Sequence, residues 1–410
     1  MIKKVEFTEK MRREYTILLP NMLPLHFRIL SSVFNAYGYK TVLLTNKGPG
    51  VIERGLQYVH NDACYPVQCV AGQFLDALLS GEYDTHKCAV MITQTGGGCR
   101  ASNYVAMLRK AFARAGMEYI PVISLNFSGL EKNSGFHMPV SMLYRLLMGL
   151  LMADMLMLLR EQTRPYEKNR GEAEALADQW VLKICQMVRA RVPLTYLRVH
   201  RVYGEMARSF EALPRTGEKK PRVGIVGEIY VKFSALGNNA LEDFLVSEGA
   251  ETVTPGLVHF GLYCLENARL DAKLYHKGSI LKRALCALGV WAGEWLIRDT
   301  ARAAVKHGFH EPMPFKGARE RLDGIMGEGM KMGEGWLLPA EIMELIHAGI
   351  NNVVCVQPFG CLPNHIVGKG VMKPIQERHP DANIVAIDYD PGMTKVNQEN
   401  RLRLMLANAK

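Results

Sequence analysis

The chain has 410 residues, 48% of them hydrophobic and 22% charged, with a formal net charge of +10. That length and apolar content suit two or three globular domains, each with its own core, and exclude a disordered chain. The positive balance suits an anionic ligand such as a nucleotide-bearing coenzyme, or an acidic protein partner. Nucleic acid is the weakest candidate, because no basic run with interleaved aromatics and no finger, RNP or helix-turn-helix signature occurs.

In chain order, residues 1–137 read as an N-terminal α/β domain. The opening MIKKVEFTEKMRREY has charge but no apolar core behind it, so no signal peptide is expected. Residues 15–19 (YTILL) predict a strand, 24–37 a helix and 40–44 (KTVLL) a second strand, together a βαβ unit. Residues 57–60 suit the end of a strand and 61–63 a turn; Cys64 follows, and Pro66 suits the first position of a helix running to about residue 79. Residues 89–93 predict an apolar strand, QTGGG at 94–98 a loop, and 101–115 a helix after Cys99; 120–125 (IPVISL) adds another strand.

Residues 138–213, rich in Met, Leu and Arg, read as a largely helical connecting segment, with a helix start at NRGEAE (169–174). Its apolar run LLMGLLMADMLMLL (146–159) is broken by Asp154 and is shorter than the ~20 residues of a membrane span. It predicts a buried helix or a dimer face, and no membrane association. PRTGEKKP (214–221) is a polar, proline-bounded linker. Residues 221–410 then read as a C-terminal α/β domain, with strands at 222–226, 352–356 and 384–388. Helices are expected at 241–247, around 281–307 and at 339–348, and Thr394 suits the cap of a terminal helix. The fold class expected is therefore α/β, two Rossmann-like parallel-sheet domains joined by helices.

Asn352 to Val356 reads as a short buried strand and the helical pattern resumes near Pro363, which leaves Cys361 in the turn between them. Ligands in α/β sheets bind outside the carboxyl ends of strands, and the positive end of a following helix favours a thiolate, so a cysteine there is expected to ionise easily. Cys64 and Cys99 repeat the arrangement. The three are either turn cysteines with no shared role or joint metal ligands. Cys88 and Cys355 within strands, and Cys185, Cys264 and Cys286 in apolar helical surroundings, are expected in the core. Cys69 is left aside, since five residues rotate about 140° around a helix and would turn it away from Cys64.

Nine cysteines without a CxxC pair argue for a reducing compartment, with cytoplasm the expected location. Structural zinc prefers four ligands and short paired spacings. A cubane iron–sulfur cluster accepts three thiolates and leaves one iron free, so the count favours a cluster.

Five segments, HNDACYPVQ, QTGGGCRASNY, RVGIVGEIYVKF, QPFGCLPNHIVGKG and IDYDPGMTKVNQENR, resemble the 2-hydroxyacyl-CoA dehydratase superfamily, and most nearly the dehydratase-like portion of the large activase-related proteins. The resemblance runs from about residue 15 to the C-terminus. It implies Rossmann-like domains around an iron–sulfur cluster, 4Fe-4S or the double-cubane 8Fe-9S of some relatives, with Cys64, Cys99 and Cys361 as its ligands. It also implies a low-potential electron from a separate ATP-hydrolysing activase, passed to a 2-hydroxyacyl-CoA thioester or a small molecule, and a homodimer or heterodimer. The chain carries no Walker A loop, since Gly368-Lys369 is followed by Gly370, so ATP hydrolysis is expected in trans.

Gln94, Arg100, Glu228 and His365 all fall in loops that could face such a cluster, as donors that tune it or as the acid that moves protons. Histidine at 365 suits proton transfer near neutral pH. Capping or surface roles explain each of them singly as well, and turn chemistry explains Asp390 beside Asp388. The rival expectations are a non-catalytic electron-transfer or assembly partner of the activase, and a metal-free nucleotide- or sugar-binding Rossmann module. The second lacks any GxGxxG after a strand.

Overall fold

The computed structural model describes residues 4–94, 98–125 and 131–409. After a short helix α1 (Glu9–Glu14) capped by Thr8, the N-terminal half alternates β1 (Thr16–Leu19), α2 (Pro24–Ala36), β2 (Lys40–Leu43), α3 (Pro49–Tyr58), α4 (Tyr65–Leu79), β3 (Cys88–Thr93), α5 (Tyr104–Arg114) and β4 (Val122–Leu125). Its four strands form one parallel sheet in the order β2-β1-β3-β4. CAVMIT in β3 is buried up to its last residue, as a parallel strand covered by helices on both faces requires.

Residues 57–60, expected to end a strand, instead close helix α3 and the turn after it. Pro49 sits in the first turn, and α3 lies backbone to backbone on α4. A Cβ on Gly55 would stand 2.0 Å from the Gln68 carbonyl oxygen, and one on Gly72 would stand 2.0 Å from that of Val51. Two glycines thus let the helices touch where a side chain would hold them apart. The helix expected at 101–115 begins as a 3-10 turn, Arg100–Asn103, before α5.

The connecting helices are α6 (Val140–Thr163), α7 (Glu172–Arg189) and α8 (Tyr196–Glu211). Among the described residues only the α6 segment is long and apolar enough to cross a membrane, and it packs against α2, α7 and α8. Most of it is a buried helix, with Val140, Tyr144 and Leu147 exposed at its start. Asp154, the charge that interrupts the apolar run, accepts backbone N–H groups of Leu257 (2.8 Å) and Val258 (2.9 Å) and meets His26 Nε2 at 2.7 Å. One carboxylate therefore ties α2, α6 and the backbone at residues 257–258 together.

The C-terminal half runs β5 (Arg222–Gly227), α9 (Ile229–Phe233), α10 (Leu241–Ser247), β6 (Glu251–Val253), α11 (Val258–Tyr275), α12 (Ile280–Lys306), α13 (Leu337–His347), β7 (Asn352–Pro358), α14 (Met372–Arg378), β8 (Asn383–Tyr389) and α15 (Lys395–Ala407). Thr394 is the N-cap of α15 in extended conformation, without a side-chain bond. The second sheet is also parallel, ordered β6-β5-β7-β8. Each sheet thus runs second strand, first, third, fourth, a doubly wound order whose connections diverge beside the first strand. One apolar cluster joins the halves, running from Leu18 and Val90 through Val67, Val70 and Phe74 of α4 to Ile225, Val354 and Tyr389.

Candidate thiol site between the two sheets

The repeated topology puts Cys99 after β3 and Cys361 after β7, the third strand of each half, while Glu228 follows β5. Glu228 and Cys361 therefore flank the point where the connections of the second sheet diverge, the usual ligand position in such folds. Cys64 enters as the N-cap of α4 in extended backbone (φ −65°, ψ 143°), and Cys99 as the N-cap of the 3-10 turn before α5. Cys361 precedes the helical turns at 362–371, which include a π-helical stretch Asn364–Gly368.

The three loops touch. The N–H of Tyr65, next to Cys64, donates to the Phe359 carbonyl at 2.9 Å. A Cβ on Gly360 (φ +71°) would stand 3.1 Å from Cys64 Cα and 2.8 Å from Arg100 Nη1. From the glycine-rich loop before α13, a Cβ on Gly333 (φ +59°) would stand 2.7 Å from the Pro363 ring and 3.6 Å from Cys99 Cβ, and the Gly98 N–H meets Met332 Sδ at 3.3 Å. Glycine is needed at 333 and 360 for the positive φ and to let the cysteine-bearing backbones close on one another.

Cys64 and Cys361 are buried, whereas Cys99 is half-buried. The Cys64 thiol meets the Tyr104 hydroxyl at 3.0 Å. Burial pushes the Cys64 pKa up to about 11 against the help of Tyr104, and it pushes Cys361 up strongly, with Glu334, Glu228 and Cys64 adding to the rise. The expectation that cysteines at these helix starts ionise easily is thus overturned for both. Loss of hydration outweighs the helix end and the neighbouring Arg100, and the acids Glu228 and Glu334 add to the rise.

Two of those acids share the start of α9. Glu228 accepts the Val231 N–H at 2.9 Å and Glu334 accepts the Ile229 N–H at 3.1 Å. Burial, followed by the neighbouring Glu334 carboxyl, raises the Glu228 pKa to about 8; burial raises Glu334 as well. Burial thus favours the neutral form of Glu228 near neutral pH and shifts Glu334 in the same direction. Behind them Lys232 pairs with Glu341 at 3.0 Å, both buried.

Of the residues singled out in the sequence, Cys64, Cys99, Cys361, Arg100 and Glu228 come together here. The exposed Arg100 crosses from its own loop to the Asp62 carbonyl beside Gly360. Gln94 does not join them by its hydrogen bonds: its amide donates to the Ser102 carbonyl at 2.6 Å and accepts from Ser124 at 2.7 Å, within its own domain. His365 is exposed and pairs with the Gln357 side chain. Asp390 accepts the Gly392 N–H of its own turn at 2.6 Å, and Asp388 faces Lys369 and Arg401.

Cys88, Cys185, Cys286 and Cys355 are buried as expected, whereas Cys264 is exposed on α11. Its neighbours Leu262 and Tyr263 face inward, and one step of about 100° along the helix turns residue 264 outward. Cys69 lies nearer the site than the helical rotation implied. Its thiol is fully buried against Tyr65, within electrostatic reach of Cys64 and Glu228. Cys64 is a cap outside the regular helix, so the 140° rotation does not separate the two. Glu334 and Tyr104 were missed altogether. Glu334 stands in a glycine-rich loop where an acid reads as solvated, and nothing in the sequence marks Tyr104 as the partner of a thiol.

Among the described residues no three His, Cys, Asp or Glu side chains are grouped closely enough to hold a single metal ion, which would require sulfurs about 2.3 Å from one centre. A cluster puts several iron atoms between its thiolates and needs a wider triangle of sulfurs. Cys64, Cys99 and Cys361 stand on separate loops that are closed together by glycines. No protein-family model matches the chain, and comparison with curated proteins finds no relative. Fold and site define the class: a two-sheet α/β protein with thiols and buried acids gathered where its halves meet.

Proposed function

We propose that the chain is an iron–sulfur redox protein with Cys64, Cys99 and Cys361 as cluster ligands. It accepts a low-potential electron from an ATP-hydrolysing activase supplied in trans. It uses that electron in reductive chemistry on, or dehydration of, an acyl-CoA-type or small-molecule substrate. A reducing cytoplasm and oxygen-free conditions belong to this reading. The observation that carries it is the meeting of three cysteine-bearing loops from two domains, with Gly333 and Gly360 between them.

When bound, a thiolate-held cluster supplies single electrons at low potential. The chain's own residues supply the rest. Glu228, raised to about 8, would hold a proton at its carboxyl for a reaction that consumes electron and proton together, and burial shifts Glu334 the same way. Arg100 sets a positive charge at the mouth. The test is anaerobic purification with iron and acid-labile sulfide analysis, followed by electron paramagnetic resonance of the reduced protein. About four irons per chain, with a signal altered or lost in Cys361→Ala and Cys99→Ala, is the expected result. A zinc-only or metal-free preparation overturns it.

A second reading, an electron carrier or assembly partner with no substrate of its own, draws on the mouth of the site. Met332, Phe359, Leu362 and Ile366 are exposed there, at 48%, 48%, 51% and 48%, and apolar side chains so placed suit a docked protein. Activase, ATP and reductant together decide between the two. Turnover of an acyl-CoA or small molecule supports the enzyme, and cluster reduction alone supports the carrier.

A further inference from the structure

Away from the thiols, between α6, the end of β6, α11, α12 and the segment 310–314, lies a cavity of about 260 Å³. At ~30 Å³ each it has room for roughly nine waters, or for a ligand of about ten non-hydrogen atoms. Its floor is apolar, formed by Leu151, Met155, Leu158 and Ile297. A strap closes one side: the Gln162 amide donates to the His310 carbonyl at 3.1 Å and accepts the His310 N–H at 2.7 Å. None of these residues belongs to the thiol site.

Of the ionisable groups around the cavity, Glu311 and His310 are exposed at its edge, and Arg222 and Asp154 are already occupied. Arg222 is paired with Glu251 at 3.0 Å, and Asp154 is occupied by His26 and two backbone N–H groups. Glu161 is buried and accepts the Thr254 N–H at 3.2 Å. Burial and the nearby Glu242 raise its pKa to about 8, which leaves a carboxylic acid able to donate at neutral pH. Burial lowers His259 to about 4, so its imidazole is neutral, with one nitrogen free of hydrogen. Thr252 is fully buried, lines the cavity, and its hydroxyl has no partner. An unpaired buried hydroxyl costs free energy that a bound polar group would recover.

We propose that this chamber binds a small uncharged carboxamide, its amide set against Thr252, Glu161 and His259 and its alkyl part against Leu151, Met155 and Ile297. The carbonyl accepts from the hydroxyl and the carboxylic acid, and the NH2 donates to the imidazole. A carboxylate of the same length is rejected, because it would enter an apolar chamber without a free cation to balance it. Specificity therefore lies in charge, since valeramide and valerate differ little in shape.

Titration of the full-length chain with valeramide, valerate and 1-pentanol, read by ligand-detected NMR, tests this. Valeramide is expected to saturate in the millimolar range, with valerate at least about tenfold weaker, the loss of one well-made polar contact being worth about that factor. Thr252→Val, nearly the same shape, should weaken valeramide about tenfold and leave 1-pentanol as the better ligand, while Thr252→Ser should keep the wild-type order. Leu158→Trp, which fills the chamber from its half-buried rim, should abolish binding of all three. Equal binding of valerate, an unchanged affinity in Thr252→Val, or no saturation by any probe at 10 mM, roughly −2.7 kcal/mol, overturns the proposal. Circular dichroism of each variant separates lost binding from lost fold.

Discussion

A lysine ammonium sealed inside a protein needs a carboxylate, and Lys232 has Glu341, whose two oxygens lie 3.0 and 3.1 Å away with both side chains buried. The pair sits directly behind the acids that face the thiols, so its net charge matters to them. Removing the lysine alone leaves a buried carboxylate without a partner. Lys232→Met is expected to cost about 3–5 kcal/mol of stability in urea denaturation, and adding Glu341→Leu should restore most of it, because a well-packed apolar pair is often as stable as a buried ion pair. A double variant no better than the single one would show that the pair does more than balance its own charge. Sequence reading could not reach this: Lys232 and Glu341 lie on separate helices, and nothing local distinguishes them from solvated residues.

The buried acids also set a pH dependence. Glu161 and Glu228 titrate near 8 in the folded chain, against 4.5 when unfolded. Between those values the folded chain keeps protons that the unfolded chain has released, so stability falls as pH rises and levels off above about 8. Glu334 and Glu341 are raised by burial too and act in the same direction. His259, held near 4 against 6.5, opposes them below pH 6.5, where the unfolded chain binds the extra proton. From pH 6.5 to 8 only the acids act among these, and the urea midpoint is expected to fall. In Glu161→Gln that fall should be shallower; a parallel line would mean that Glu161 is already ionised when folded.

At the scale of elements, the pairing of α3 with α4 positions Cys64, since α4 begins at that residue. The contact rests on Gly55 and Gly72, whose hydrogens face backbone carbonyl oxygens. Gly55→Ala would drive a methyl into the Gln68 carbonyl, so the helices must part. A loss of roughly 1–3 kcal/mol is expected, the usual range for overpacking. Faster modification of Cys64 by a thiol reagent should accompany it. Unchanged thermal stability in Gly55→Ala would mean that the crossing has slack. The strand expected at residues 57–60 fails for the same reason: the apolar and small residues of 49–58 sit at helical spacing, and only the α4 surface shows what they pack against. Strands β5, β7 and β8 were legible because they are continuous apolar runs bounded by turns, and the terminal helix because Thr394 marks its start.

Across the whole molecule, the two sheets share one strand order although no repeat is visible in the sequence. Fold class followed from the alternation of apolar runs and helical stretches, which is local. The equivalence of Cys99 and Cys361 is a property of strand order, which is not local, and it appears only once both sheets are laid out. Candidate site residues divided along the same line. Cys99 and Cys361 were identified from the turns after their strands and Cys64 from the helix start at Pro66, whereas Glu334, Tyr104 and the proximity of Cys69 depend on how the halves meet. Gln94 and His365 looked equivalent to Arg100 in sequence. Side-chain orientation separates them: Gln94 is bound within its own sheet and His365 faces outward.

The closure at Gly360 and Gly333 has a bearing on order in time. Cys64 and Cys99 precede in the chain the walls that bring them against Cys361, which come from residues 327–336 and 359–363 and are made later. A nascent chain emerging from the ribosome can shape its first sheet early, yet it has only an open rim until the last strands fold. Under the proposed function, a group held by all three cysteines can be enclosed only after residues 359–363 have been made and folded, so its insertion is a step separate from folding of the first domain.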